Sequence, residues 1–375
     1  MIDNVSSPQI VERKVWSILG LPFDEVNLED SVEHLYQDIE RSNKCFLSTP
    51  NLNFAITTQS DDAFFQSVID SDLSVADGMP LIWVAKLLGI PLTERVAGST
   101  LFEQLSQRQK HDKKIRVFFF GGQAGIAEIA HHNLNATSQG MMSCGYYEPG
   151  FGSVDDMSST KIITMINTAA PDFLVVALGA KKGQQWIQYN RDKLNASVIS
   201  HLGAVINFVA GHIERAPQLW QQLGLEWLWR IKQEPELWKR YFFDGLGFCT
   251  LLILKILPLA IYDRWLKRTA DYIQYADMTV IHSESTVITL SGSLHHEQLN
   301  NIKQAFSDVL LQNCRLNVEL DFEQVVYIDS AFIATLLLFQ RYLSEQGCQL
   351  YLSHLPCRIK RLLDLHNVLT RFQIR

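Results

Sequence analysis

Residues 201–241, HLGAVINFVAGHIERAPQLWQQLGLEWLWRIKQEPELWKRY, restrict what this chain can become more than any other stretch. They pass from an apolar, strand-like run through a small-residue turn into a helical pattern dense in Trp and Arg. That pattern leads directly into GLGFCTLLILKILPLAIY at 245–262, the most apolar run in the sequence. So many indoles beside so many cations suit a surface that meets an anionic ligand and a membrane together. The apolar run has about the minimum length for a span, but Lys255 and Pro258 interrupt it. Lys239 and Arg240 precede it, and Arg264, Lys267 and Arg268 follow. Three arrangements fit: a helix lying in the membrane surface, a helix packed against protein, and a span. The first is the leading expectation.

The chain has 375 residues, enough for two or more domains. Apolar residues make up 47% and charged residues 19%, so a sizeable core is available. A formal net charge of −7 argues against nucleic acid as a partner. The six cysteines, Cys45, Cys144, Cys249, Cys314, Cys348 and Cys357, show no CxxC spacing and read as reduced thiols of a cytoplasmic protein. The N-terminus lacks the apolar core of a signal peptide. Residues 1–30 read as a lead-in. From about 31 to 210, helical patterns alternate with the strand-like KCFLSTPN, RVFFFGG, FLVVALG and ASVISHLGAV. That alternation predicts a doubly wound, Rossmann-like parallel sheet, with ligands at the carboxyl ends of its strands. Residues 1–210 are expected to form this domain, 211–268 a helical, membrane-proximal appendage, and 271–375 a separate small α/β domain.

Candidate chemistry collects at the strand ends. STPNLNF places Ser48, Thr49 and Asn51 after a strand, although Pro-Asn is also ordinary turn chemistry. Asp77, in SVADGMP, stands on a strand-to-helix turn. It could cap the helix or act as a general base, and local spacing favours the cap. Arg95 is a candidate anion contact. Gly121, Gly122 and Gly125 follow a strand and could bring backbone amides to a phosphate, without the full GxGxxG spacing. Asp70-Ser71-Asp72 has the look of a metal-binding DxD but closes an amphipathic helix. His131-His132 and His295-His296 lack the helical spacing of a zinc pair. Neither a metal nor a cofactor is expected.

With these residues in hand, about 31–245 resembles the WecB/TagA/CpsF glycosyltransferase family. The motifs occur in order: TPN (49–51), ADGMP (76–80), ERVAG (94–98), FFFGG (118–122), GYYEPGF (145–151), LGAKKGQQW (178–186), LGAVINFVAG (202–211), RAP (215–217) and GLEWLWR (224–230). The resemblance implies transfer of an N-acetylmannosamine-type or related sugar from a UDP donor to a lipid-linked acceptor in cell-surface polysaccharide synthesis. It puts the catalytic base on Asp77, overturning the local preference for a cap, and donor contacts on Thr49, Asn51, Arg95, Gly121, Gly122 and Gln184. A basic C-terminal appendage supplies cations to the site in this family, and Arg215, Arg230 and Arg240 are the candidate counterparts in this chain. One motif departs. Where members commonly read G-x-P-x-Q-E-x-W, this chain has Lys181 for Pro, Gly183 for Gln and Gln184 for Glu. Lys181 or Lys182 could instead meet the diphosphate or a uronic-acid carboxylate.

Residues 271–375 resemble a STAS domain, and Ser330 after Asp329 falls where regulatory members are phosphorylated by a partner kinase. Capping of the helix by Ser330 is the plainer alternative. The expected enzyme is a metal-independent hexosyltransferase with a regulatory STAS tail. Its expected partners are a UDP-sugar, a polyprenyl-diphosphate-linked acceptor, the inner face of the cell membrane and a STAS-binding kinase or regulator, with a homo-oligomer left open. The competing reading is a non-catalytic scaffold that senses a nucleotide sugar. A dinucleotide-dependent oxidoreductase ranks below both, because no acidic residue stands at the ribose position after FFFGG.

Overall fold

The computed structural model describes residues 10–375 apart from 109–112, 218, 221–223, 270–274, 283–285 and 313–316. Cys314 lies outside the described residues, and the other five cysteines are free thiols. Two compact units form. One holds 26–83 and 92–247. The other holds the N-terminal residues through Glu25, together with 84–91 and 248–375.

The first unit is built on a six-stranded parallel sheet. Its strands are β3 (Cys45–Ser48), β4 (Leu73–Ser74), β5 (Ile115–Gly121), β6 (Met141–Tyr147), β7 (Phe173–Ala177) and β8 (Val198–His201), in the spatial order β4-β3-β8-β7-β5-β6. Strands covered on both faces read as continuous apolar runs, which is why FFFGG and FLVVALG were legible. Each face has its own core. Val117, Phe119, Phe173 and Val175 pack with α1 (Leu28–Arg41), α5 (Gly98–Gln107), α6 (Ile126–Thr137) and α9 (Gly203–Val209). Phe118, Phe120, Leu174 and Val176 face α7 (Thr160–Thr168) and α8 (Ala180–Asn190), where Trp186 stacks on Phe120 with centroids 4.4 Å apart. The remaining helices α2 (Leu52–Thr57), α3 (Asp62–Ile69) and α4 (Met79–Leu88) follow β3 and β4. Asp72, of the DxD triplet, accepts from the Phe46 amide, and Asp70 closes α3 as its C-cap.

In the second unit a five-stranded mixed sheet has the order β13-β12-β11-β10-β9. Its strands are β9 (Asp277–His282), β10 (Thr286–Leu294), β11 (Val318–Ile328), β12 (Leu350–Ser353) and β13 (Gln373–Ile374). Helices Leu299–Leu311, Ser330–Glu345 and Cys357–Leu365 cover it, and Phe306 stacks on Phe339 with centroids 4.0 Å apart.

Two features differ from the sequence reading. The supposed lead-in holds an antiparallel hairpin of β1 (Val15–Ile18) and β2 (Leu21–Asp24), whose strands are buried at every position. Its two-residue turn, Leu19-Gly20, has both φ angles positive, the geometry of a I′ turn. The hairpin packs on the Ser330–Glu345 helix. Arg13 and Asp24 form a buried bidentate ion pair beside it, and Lys303 Nζ donates to Arg13 O at 2.7 Å. The second difference is a π turn in the helix that carries the apolar run. One helix runs from Leu237 to Leu266. It widens into a π turn at Leu252–Ile256, where the Leu257 N–H reaches back to Leu252 O. A proline cannot donate to the carbonyl four residues before it, and the wider turn absorbs that missing bond.

Candidate active site

The ends of β3 and β4 and the loop before α5 build the centre of the site. The Asp77 amide donates to Pro50 O at 3.0 Å, and the Val96 amide to Ala76 O at 3.0 Å, so the TPN, ADG and ERVAG motifs are tied by backbone bonds. Asp77 stands two residues before the start of α4. Its carboxylate takes the backbone N–H of Gly98, the first residue of α5. Asp77 keeps partial access to the outside while protein surrounds it deeply, and that burial pushes its pKa up to about 6, against the pull of Arg95 and Arg230. Glu226 pushes in the same direction as burial. Burial opposes the charge on Arg95, yet Asp77 and Glu226 hold it protonated and raise its pKa, with Glu226 Oε2 2.6 Å from Arg95 Nη1. A carboxylate that exchanges its proton near neutral pH, flanked by cations, is equipped for general acid–base work.

The other expected residues divide. Thr49 is buried against Gly98, where a side chain larger than hydrogen would meet both Thr49 and Leu202. Asn51 spends its side-chain oxygen on the Phe54 amide at 3.2 Å, capping α2, and stands next to Gly78. Gln184 is buried and donates to Ser48 Oγ at 2.7 Å. Arg230 (Glu226–Gln233 helix) acts electrostatically on Asp77, pairs with Glu234 at 2.7 Å and leaves Nε buried without a partner among the described residues. Arg215 pairs with Glu103, and both Arg215 and Arg230 lie over the Phe208 ring. A groove of about 640 Å³ runs from Ser99 past Phe102 and Glu103 to Arg215. Arg240 is exposed over Tyr241 and has no part in the Asp77 cluster.

The glycine turn after β5 brings the backbone close to β7. Gly121 and Gly122 have φ of 100° and 97°, and any Cβ at Gly121 would run into Ala177 O. Gly122 N–H donates to Ala177 O, and Gly125 and Ala127 N–H donate to the Glu148 carboxylate at 2.8 and 2.9 Å. An acid from the GYYEPGF motif thus sits on the helix N-terminus that would have drawn the anion. The two lysines of the altered motif are also engaged, Lys181 with Asp61 and Lys182 with Gly152 O. Sequence reasoning missed Glu226, Glu148 and His201. Glu226 lay in view within GLEWLWR, but only the Trp and Arg of that motif drew notice. Among the described residues one trio, His34, Asp38 and Cys45, brings candidate ligand atoms within 4.8 Å of each other, and it belongs to α1 and the opposite end of β3.

The sequence profile of the glycosyl transferase WecG/TagA/CpsF family matches residues 16–260. The chain belongs to this family. It is a glycosyltransferase of the hexosyltransferase kind, and a STAS domain profile (Mlab, STAS domain) matches 278–370. Among similar proteins is the N-acetylglucosaminyldiphosphoundecaprenol N-acetyl-beta-D-mannosaminyltransferase of Bacillus spizizenii. It is 28% identical over 59% of this chain and 84% of its own length. Proteins of the same name from Bacillus subtilis and Staphylococcus aureus are 26% and 25% identical, each over 60% of this chain, covering 86% and 85% of their own lengths.

In the STAS domain, the structure gives the cap to Asp329 and not to Ser330. Asp329 Oδ1 accepts from the Phe332 amide at 2.8 Å, and Oδ2 from the His296 amide at 2.8 Å. The hydrogen bond to Asp329 raises the His296 pKa, and Trp16 of the hairpin lies on the His296 ring with centroids 5.0 Å apart. Ser330 is 8% exposed. A carboxylate placed there meets Asp329 and little water, so Ser330→Asp is expected to destabilise the fold by about 2 kcal/mol or more. Urea unfolding checks this. An unchanged midpoint would show that the position is open enough to take a phosphate.

Proposed function

We propose that this glycosyltransferase moves an N-acetylmannosamine-type sugar from a UDP donor to a polyprenyl-diphosphate-linked acceptor at the inner face of the cell membrane, with Asp77 as general base. The observation that carries the reading is the enclosed Asp77 carboxylate, held by the Gly98 N–H and faced by Arg95 and Arg230. The acceptor hydroxyl gives its proton to Asp77 as its oxygen bonds the anomeric carbon. The bond from that carbon to the diphosphate breaks, and UDP leaves with the electron pair. Arg95, Arg230 and Arg215 supply positive charge for the leaving group, the electrostatic role that often dominates transfer chemistry, so no metal is required for it. Thr49 and Gln184 serve the donor. The names of the relatives support the lipid-linked acceptor.

Membrane association is supported by the Leu237–Leu266 helix. Only 17% of its most apolar window is buried. Phe242, Leu246, Ile253, Leu257 and Ile261 form an exposed apolar stripe, whereas Ile256, Leu259, Ala260 and Leu266 are buried. Lys255 is satisfied by Asp364, its Nζ 2.9 Å from Oδ1. A helix that is apolar on one exposed face and tied to protein on the other suits the bilayer surface better than a span. In this reading the STAS domain is regulatory.

The test is a screen of UDP-sugars with a polyprenyl-diphosphate-linked amino-sugar acceptor, reading UDP release and the lipid product together. Turnover is expected with a UDP-N-acetylhexosamine. Binding of UDP without turnover of any donor would favour the nucleotide-sugar-sensing scaffold instead.

A further inference from the structure

Two buried polar atoms near the carboxyl ends of β3 and β8 lack a partner among the described residues, and Gly183 lets α8 pass close to one of them. β3 and β8 run side by side with Leu47 opposite Ser200, so the next pair outward is Ser48 and His201. The first turns of α8 cross over that pair. Gly183 lies so close to the imidazole that any Cβ there would overlap its Cδ2, and the next residue, Gln184, reaches Ser48 Oγ. Gln184 Oε1 and His201 Nε2 are enclosed and have no hydrogen-bond partner among the described residues. Leaving such atoms unpaired destabilises a fold, so a pair of them at the ligand-facing end of a sheet is a feature that a ligand would satisfy. Burial holds His201 neutral by pulling its pKa down to about 4. Near neutral pH its ring can therefore present an N–H at Nε2.

The surroundings fix what can bind. Gln184 Nε2 is spent on Ser48, which leaves Oε1 as an acceptor. An acceptor at 184 and a ring nitrogen at 201 match a group that carries an N–H beside a C=O. We propose that Gln184 and His201 form a specificity pocket for an amide edge of the donor, with Oε1 accepting its N–H and Nε2–H donating to its carbonyl oxygen. The inference rests on the donor-binding reading above and names what that site selects. A UDP-N-acetylhexosamine carries two such edges, the imide of uracil and the acetamido group of the sugar. The pocket also explains the altered motif. Gln, the residue the resemblance leads one to expect at 183, cannot be built there without displacing His201. Gly183 is therefore what leaves room for the His201 imidazole beneath α8.

Donor kinetics and nucleotide binding on the full chain test this. His201→Ala and Gln184→Ala are each expected to raise the donor KM about tenfold, the loss of one good hydrogen bond, while kcat changes less than threefold. If the edge is uracil, both variants bind UDP and CDP equally, whereas the parent prefers UDP. If it is the acetamido group, UDP binding is unchanged and the preference for UDP-N-acetylhexosamine over UDP-hexose disappears. Gly183→Gln alone weakens donor binding, and adding His201→Gly restores it at least in part. Should alanine unfold the chain, His201→Gln keeps the preference and His201→Leu loses it. Folded variants that retain the parental KM and both preferences overturn the pocket. A parent that binds UDP but transfers no sugar would sink the transferase reading instead, and the UDP/CDP comparison would still judge the pocket.

Discussion

Asp77→Asn is expected to lower kcat by roughly a hundred- to ten-thousand-fold, the span that a positioned general base contributes, while UDP still binds. The same substitution should stabilise the protein. The folded pKa of Asp77, about 6, lies above the ordinary value of 3.8. Between those values the folded state holds a proton that the unfolded chain has released, so this group's contribution to stability falls as pH rises from 3.8 and is fully unfavourable above 6. A displacement of about two pKa units corresponds to roughly 3 kcal/mol at neutral pH, less whatever the partial access of the side chain to water relieves. Asparagine carries no such penalty. Urea unfolding at pH 7.5 should place the variant above the parent, and the gap should close near pH 4. Activity of the parent should fall as pH drops through about 6, because the base is then protonated. A variant that turns over at near-parental rate, or a parental rate flat from pH 5 to 8, would remove Asp77 from the role.

Stability gained where activity is lost is the mark of a site held at the fold's expense. Two carboxylates, Asp77 and Glu226, are crowded against Arg95, and among the described residues Arg230 Nε is left unpaired beside them. An anionic ligand would compete with these carboxylates for the two guanidinium groups. Glu226 is the exception that needs a purpose. Its ion pair with Arg95 holds the guanidinium in place, and its charge helps to keep Asp77 basic.

Four strands of the parallel sheet, β3, β5, β7 and β8, were legible because each is a short apolar run closed by small residues, whereas β4 has two residues and β6, MMSCGYY, is no apolar run. Asp77 was legible only through ordered motifs. Its local spacing argued for a cap on the following helix, but the amide it binds belongs to Gly98, which is distant in sequence. The same non-locality hid His201 and Glu148, whose partners Gly183 and Gly125 come from other elements. The hairpin escaped notice because its turn uses Leu19 at φ 53°, where an Asn or Asp would have signalled a I′ turn. The π turn before Pro258 had no signal beyond the proline itself, and it carries the helix through.

The second large effect concerns that helix. Deleting it would be a poor experiment, because Ile256, Leu259, Ala260 and Leu266 are buried and Lys255 holds Asp364, so loss of the helix would damage the fold as well. Substituting the exposed stripe separates the two. Leu246, Ile253, Leu257 and Ile261 are 58%, 62%, 41% and 69% exposed. Serine at all four removes apolar surface that the protein itself does not cover. At about 1 kcal/mol for each side chain seated in the acyl boundary, the change amounts to about 4 kcal/mol, roughly a thousand-fold in partitioning. Sedimentation with vesicles containing anionic lipid should therefore shift from bound to free, with the melting temperature nearly unchanged. The indoles act at the ends of the stripe. Trp238 and Trp265 are exposed, whereas Trp229 is engaged by Glu214 O and packs on Trp220. Cations near the helix add a salt-dependent part. Lys239 and Arg240 are exposed, while Lys267 is paired with Asp263 at 2.8 Å, so neutralising the first two should weaken binding to anionic vesicles more than neutralising Lys267. Transfer to a short-chain, water-soluble acceptor should survive the serine substitutions, because none of the four residues belongs to the Asp77 cluster. Full vesicle binding by the serine variant would show that this stripe faces something other than a bilayer.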